Sequence, residues 1–98
     1  MTVYISPNPG KEQAVATAQQ AAQLLLMQGA TVLMRDDLNE TCCADGVQYL
    51  PLEECLLRTD VILTIGGDGT ILHEANLTLQ YQKPILGINI GRCGFLAT

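Results

Sequence analysis

Ninety-eight residues suit one domain with a real core, and a net charge of −5 with only five cations, scattered as Lys11, Arg35, Arg58, Lys83 and Arg92, leaves no basic stripe to track a nucleic acid backbone. The N-terminal run Met1 to Ser6 is too short and lacks the basic leader of a signal peptide, and no apolar stretch approaches membrane-spanning length. Four cysteines, Cys42, Cys43, Cys55 and Cys93, form no C-x-x-C pair, so free thiols in a reducing cytoplasm are expected rather than a zinc site or a disulfide framework.

In chain order, Thr2 to Ser6 reads as a strand, and Pro7-Asn8-Pro9-Gly10 as the loop that ends it. Lys11 to about Gln28 contains neither glycine nor proline. Its apolar positions Ala14, Ala18, Ala21, Ala22, Leu25 and Leu26 recur at helical spacing, and Gly29 is the natural stop. The alanine face predicts close packing on a sheet, with Leu24 to Met27 thickening the contact. Thr31 to Met34 follows as a second strand, and strand, helix, strand in this order predicts a right-handed parallel crossover.

Arg35 to Gly46, with Asp36, Asp37, Asn39, Glu40, Thr41 and Asp45 around two cysteines, is expected to be a solvated loop without metal-ligand spacing. Val47 to Tyr49 is a candidate extended piece. Pro51 to Arg58 predicts a short helix with proline in its first turn.

Val61-Ile62-Leu63-Thr64-Ile65 is a β-branched and leucine run that suits a strand buried on both faces, as in parallel sheets. It stops at Gly66-Gly67-Asp68-Gly69-Thr70. Three glycines permit positive φ and close approach of amides to a ligand, and Thr70 is placed to cap a helix over 70–81 that buries Ile71, Leu72, Ala75 and Leu79. Pro84 ends that helix, and Ile85 to Ile90 is the fourth strand. The sum is a three-layer α/β domain, a Rossmann-like parallel sheet of about four strands in the order 2-1-3-4. Ligands bind such sheets beyond the carboxyl ends of the strands where the winding reverses, here between the first and third strands, with the Pro7 to Gly10 loop opposite Gly66 to Thr70.

Strand, glycine turn and helix start favour bound phosphate. The turn lacks the lysine of a Walker A loop, and Leu72 stands where a dinucleotide fingerprint would need its third glycine. Gly66-Gly67-Asp68-Gly69-Thr70 resembles instead the signature shared by NAD kinases, diacylglycerol and sphingosine kinases and, with serine ending it, phosphofructokinases. The segment Pro84-Ile85-Leu86-Gly87-Ile88-Asn89-Ile90-Gly91-Arg92-Cys93-Gly94-Phe95-Leu96 resembles the NAD kinase pattern, in which such a strand runs into G-x-x-G-F-L, rather than the proline-leucine-glycine-threonine-glycine-asparagine segment of the lipid kinases. Cys93 departs from the family's usual aliphatic residue, and packs as a small hydrophobe.

The resemblance covers Val61 to Thr98 closely and the rest in architecture. It implies a phosphotransferase with an alcohol acceptor, which moves the γ-phosphoryl of ATP to the adenosine ribose 2′-hydroxyl of NAD, giving NADP. It also implies that residues 1–98 are an N-terminal α/β domain whose β-rich, NAD-binding C-terminal partner is absent from this chain, which is then inactive alone. Asp68 is the proton acceptor by family analogy. Gly66, Gly67, Gly69 and Thr70 would serve phosphates, His73 the dinucleotide, Phe95 the adenine and Arg92 a phosphate, with Lys11 a weaker candidate. Magnesium or another divalent cation comes with ATP and has no carboxylate cluster to fix it. The implied enzyme binds NAD and ATP, is cytoplasmic, engages neither nucleic acid nor membrane, and forms a homo-oligomer when full length. A lipid or sphingoid kinase domain and a non-catalytic nucleotide-binding module are the alternatives.

Overall fold

The computed structural model describes residues 1–90 and 95–97, the last three and residues 77 and 78 by backbone alone. The uninterrupted apolar run Val3-Tyr4-Ile5 suits β1 (Thr2–Pro7) to the middle of the sheet, where five consecutive positions are buried. Then follow α1 (Glu12–Met27), β2 (Thr31–Arg35), a 3-10 turn (Asp36–Leu38), β3 (Gln48–Leu50), α2 (Leu52–Arg58), β4 (Val61–Gly66), α3 (Asp68–Tyr81), β5 (Ile85–Asn89) and β6 (Phe95–Ala97).

The sheet runs β3-β2-β1-β4-β5-β6. Its first five strands are parallel, and β6 pairs antiparallel with β5. The α/β class and the inner order of four strands are as the sequence predicts. Two edge strands are added: β3, which lies one residue further along than the candidate piece at Val47 to Tyr49, and β6.

Helices cover both faces. On one, Ala14, Ala18 and Ala22 of α1 lie buried against Val3, Ile5, Val32, Met34, Leu63 and Ile65. Alanine at these positions lets the helix backbone approach the sheet closely, and Gly29, at φ +86°, turns the chain out of the helix. On the other face Tyr4, Leu33, Ile62 and Ile85 pack with Cys55 and Leu56 of α2. There α3 meets β5 at Gly87, where a Cβ would come within 3.2 Å of Ile71.

Four expectations change. Leu24 and Met27 are exposed, so only Leu25 and Leu26 thicken the α1 contact. The segment after β2 is not merely solvated. Leu38, Cys42 and Ala44 are buried under α1, and Tyr49 Oη donates to Cys42 O at 2.7 Å. Leu72 and Leu79 are exposed, because α3 turns Ile71 and Glu74 inward instead. Finally, α3 begins at Asp68, not Thr70, since Ile71 N–H already donates to Gly67 O at 3.1 Å.

Candidate active site

The glycine turn forms where β4 hands over to α3. Gly66 is the last residue of the strand, buried, with a conformation open to any residue; its necessity is steric. A Cβ there would lie 2.8 Å from Thr70 Cβ and 2.9 Å from Thr70 Oγ1. Of the glycines described, only Gly29 and Gly46 have positive φ, so the turn uses its glycines for clearance rather than for left-handed backbone. At Gly67 a Cβ would meet Lys11 Nζ at 3.3 Å, which brings that ammonium beside the turn.

Asp68 opens α3 and stays exposed, its carboxylate at the positive end of the helix. It is held from the side. Asn89, buried at the carboxyl end of β5 and in register with Gly66, donates from Nδ2 to Asp68 Oδ1 at 2.5 Å. Ile90 N–H donates to Gly66 O at 3.1 Å, so the two strand ends are tied beside the carboxylate.

From the other side comes the loop after β1. Asn8 N–H donates to Ile65 O at 2.8 Å, Asn8 Oδ1 accepts from Gly10 N–H at 3.0 Å, and Asn8 Nδ2 donates to Thr70 Oγ1 at 3.3 Å. The loop and the glycine turn therefore face each other across the β1–β4 switch point, as expected. Thr70 is not the cap. Its side chain is clasped between Asn8 and Gly66 within the first turn.

Between these elements lies a cleft of about 340 Å³, lined by Ser6, Asn8, Arg35, Thr70, His73 and Glu74 among others. Its floor is polar. Ser6 Oγ donates to Glu74 Oε1 at 2.8 Å, and both residues are buried. Burial, opposed by Ser6 and assisted by the Glu74 charge, raises the Tyr4 phenol well above its ordinary range. Arg35 Nε lies 3.4 Å from Asp37 Oδ1 at the rim.

Of the residues singled out in the sequence, Gly66, Gly67, Asp68, Gly69, Thr70, His73 and Lys11 gather around the turn and cleft. Arg92 and the side chain of Phe95 lie outside the described residues. Sequence reasoning missed Ser6, Asn8, Arg35, Glu74 and Asn89. The signals were faint: a polar residue at the carboxyl end of an apolar strand (Ser6, Asn89), and a glutamate three positions after Ile71 on a helix face that must be buried.

Residues 3–98 match the family model of the ATP-NAD kinase N-terminal domain. The chain is 39% identical over 87 residues to an NAD kinase of Methanopyrus kandleri, covering 86% of this chain and 29% of that protein. It is 36% identical over 103 residues to an NAD kinase of Corynebacterium diphtheriae, covering 97% and 32%. It thus spans about a third of the length of the curated relatives it matches. In fold it resembles yeast NADH kinase, crystallised with NADH, with a TM-score of 0.67 at 23% identity over 98% of this chain and 31% of that one. With its residues 3–98 matched by that family model, the chain belongs to the ATP-NAD kinase N-terminal domain family.

Proposed function

We propose that the full-length protein is an NAD kinase, transferring the γ-phosphoryl group of ATP to the 2′-hydroxyl of the adenosine ribose of NAD to give NADP. The observation that carries this reading is Asp68 at the first position of α3, held by Asn89 and flanked by the glycine turn, in a chain of this family. Phosphoryl transfer through a loose transition state demands alignment and charge neutralisation more than a strong base. The ribose oxygen attacks the γ-phosphorus, the bond to ADP breaks, and the hydroxyl proton passes to the Asp68 carboxylate.

The first-turn amides of α3 lack intrahelical acceptors by geometry, so Gly67, Gly69 and Thr70 present donors to phosphate, with Gly66 giving the clearance and Lys11 adding charge. We assign His73 to the dinucleotide, Arg92 to a phosphate and Phe95 to the adenine. A magnesium ion would be carried in on the triphosphate, with phosphate oxygens and water supplying most of its ligands. Bound there, the ion would neutralise developing charge.

A second, β-rich domain completes the dinucleotide site, the enzyme is a homo-oligomer, and these 98 residues alone make no NADP. A cytoplasmic location suits the free thiols Cys42, Cys43 and Cys55. The test is NADP formation from NAD and magnesium-ATP by the full-length protein. Asp68→Asn should lower kcat by roughly 10² to 10⁴ while leaving the fold intact. A full-length protein that forms no NADP, or that phosphorylates lipid instead, overturns the assignment.

A further inference from the structure

The floor of the cleft holds a group that phosphoryl transfer at Asp68 does not use. Glu74 is only 7% exposed, and its single described hydrogen bond comes from Ser6 to Oε1. Oε2 is buried with no hydrogen-bond partner among the described residues. Ser6 has one hydroxyl proton, already given to Oε1. Tyr4, two residues earlier on the same strand face, and Thr64, beside Ser6 in register, carry hydroxyls that are likewise buried and unmatched among the described residues. A buried carboxylate with one hydrogen bond is costly, and folded proteins seldom leave such atoms unmatched. Two turns into α3, an apolar residue would have packed at no such cost. Glu74 lines an open cleft, so a small shift of its side chain lets a ligand supply the missing donor to Oε2.

The cleft combines two chemistries. Arg35 and the first turn of α3 favour an anion, whereas Glu74 repels one and accepts from a neutral donor. A nucleotide offers both. Six helical residues, about 9 Å of rise, separate Asp68 from Glu74, a span comparable to a triphosphate between its γ-phosphorus and its ribose. Resting on the kinase reading above, which sets the acceptor ribose at Asp68, we propose that Glu74 Oε2 accepts a hydrogen bond from a ribose hydroxyl of the bound nucleoside triphosphate. Glu74 then reads the nucleoside half of the phosphoryl donor, and the polar floor of Ser6, Thr64 and Tyr4 is built around it.

The test is equilibrium binding of magnesium-ATP, 2′,3′-dideoxy-ATP and tripolyphosphate to the full-length protein, by titration calorimetry, with Glu74→Ala and Glu74→Gln beside the wild type. Glu74→Ala should weaken ATP about 10- to 100-fold, the worth of a hydrogen bond to a charged acceptor, and leave tripolyphosphate and the dideoxy nucleotide within about twofold. Glu74→Gln keeps the shape of the side chain and an acceptor oxygen, and should give an intermediate loss. It also serves if the alanine variant fails to fold. Equal weakening of ATP and tripolyphosphate, unchanged ATP binding in Glu74→Gln, or a change confined to the KM for NAD would each overturn the assignment. Glu74-dependent ATP binding without any NADP formation would sink the kinase reading and leave this one standing. NADP formation with ATP affinity indifferent to Glu74 would do the reverse.

Discussion

On the α1 side of the sheet, Val3, Ile5, Val32, Met34, Leu63 and Ile65 meet three alanines of one helix, and the layer is apolar from end to end. On the α3 side the alternating positions of the same strands run Tyr4 then Ser6, and Ile62 then Thr64, and the helix above answers with Glu74. Toward the amino ends of the strands one buried polar side chain, Thr59, is satisfied by donating to Thr2 O and Val61 O. The other buried polar side chains among the described residues, Ser6, Thr64, Glu74 and Asn89, gather toward the carboxyl ends on the α3 side, next to the Asp68 turn and the Asn8 loop. One face is therefore built for stability, and the other gives up part of its burial to arm the switch point.

The contrast breaks hardest if the apolar face is tolerant. Ile5→Ala removes a fully buried side chain from the middle of that layer and should cost about 2–5 kcal/mol of unfolding free energy, measured by denaturant titration, and on the proposed kinase reading should leave the KM for NAD and ATP unchanged in the full-length protein that remains folded. A loss under 1 kcal/mol would show that this side is not the stabilising one.

Gly66→Ala sits at the junction of the two regions. The added methyl meets Thr70 at 2.8 Å, and Thr70 is already clasped by Asn8. Overpacking of this kind costs about 1–3 kcal/mol, and because the strain falls on the first turn of α3, turnover should drop more than stability does. Equal kcat in wild type and variant would mean that the turn relaxes without disturbing Asp68.

On the polar face the sign should reverse. Thr64 Oγ1 is buried without a hydrogen-bond partner among the described residues, so Thr64→Val removes an unmet polar atom at nearly constant shape. A gain of about 1 kcal/mol in unfolding free energy is expected. A loss of that size would mean that water or a residue beyond those described satisfies the hydroxyl.

Much of this contrast was legible in the sequence, for physical reasons that differ by region. The apolar run Val61 to Ile65 and the alanine spacing of α1 signal burial directly, and the glycine turn announces itself by composition. The helix start was misplaced by two residues because Thr70 is a good capping residue in isolation, yet here its hydroxyl is taken by Asn8 while Gly67 O accepts the first helical bond. Leu72 and Leu79 share a helical period with Ile71 but not its face, and period alone does not say which stripe meets the sheet. Leu38 and Cys42 lie in a stretch without period, so nothing local reveals that they fill the space under α1. Asn89 and Ser6 become site residues only through strand register, which pairs Asn89 with Gly66 and Ser6 with Thr64.

The smallest effect is absent at neutral pH and appears in alkali. Burial raises the Tyr4 phenol above its ordinary 10.0, and burial, opposed by a backbone hydrogen bond, pushes the Cys55 thiol from 9.0 up to about 11. Each acid is held neutral by the fold, so as pH rises the unfolded chain loses its protons first. The native state then binds more protons than the unfolded one, and stability falls with pH. The contribution is complete well below pH 9.0, where the unfolded thiol is half ionised, and drains away as pH rises through 9.0 and 10.0 toward the folded values. Thermal melting from pH 8 to 11 should show this decline, and Tyr4→Phe with Cys55→Ala should flatten it, most of all on the α3 face where both groups lie. A double variant with the wild-type alkaline slope would shift the cause to lysine neutralisation. The polar floor would then have no share in how the fold responds to protons.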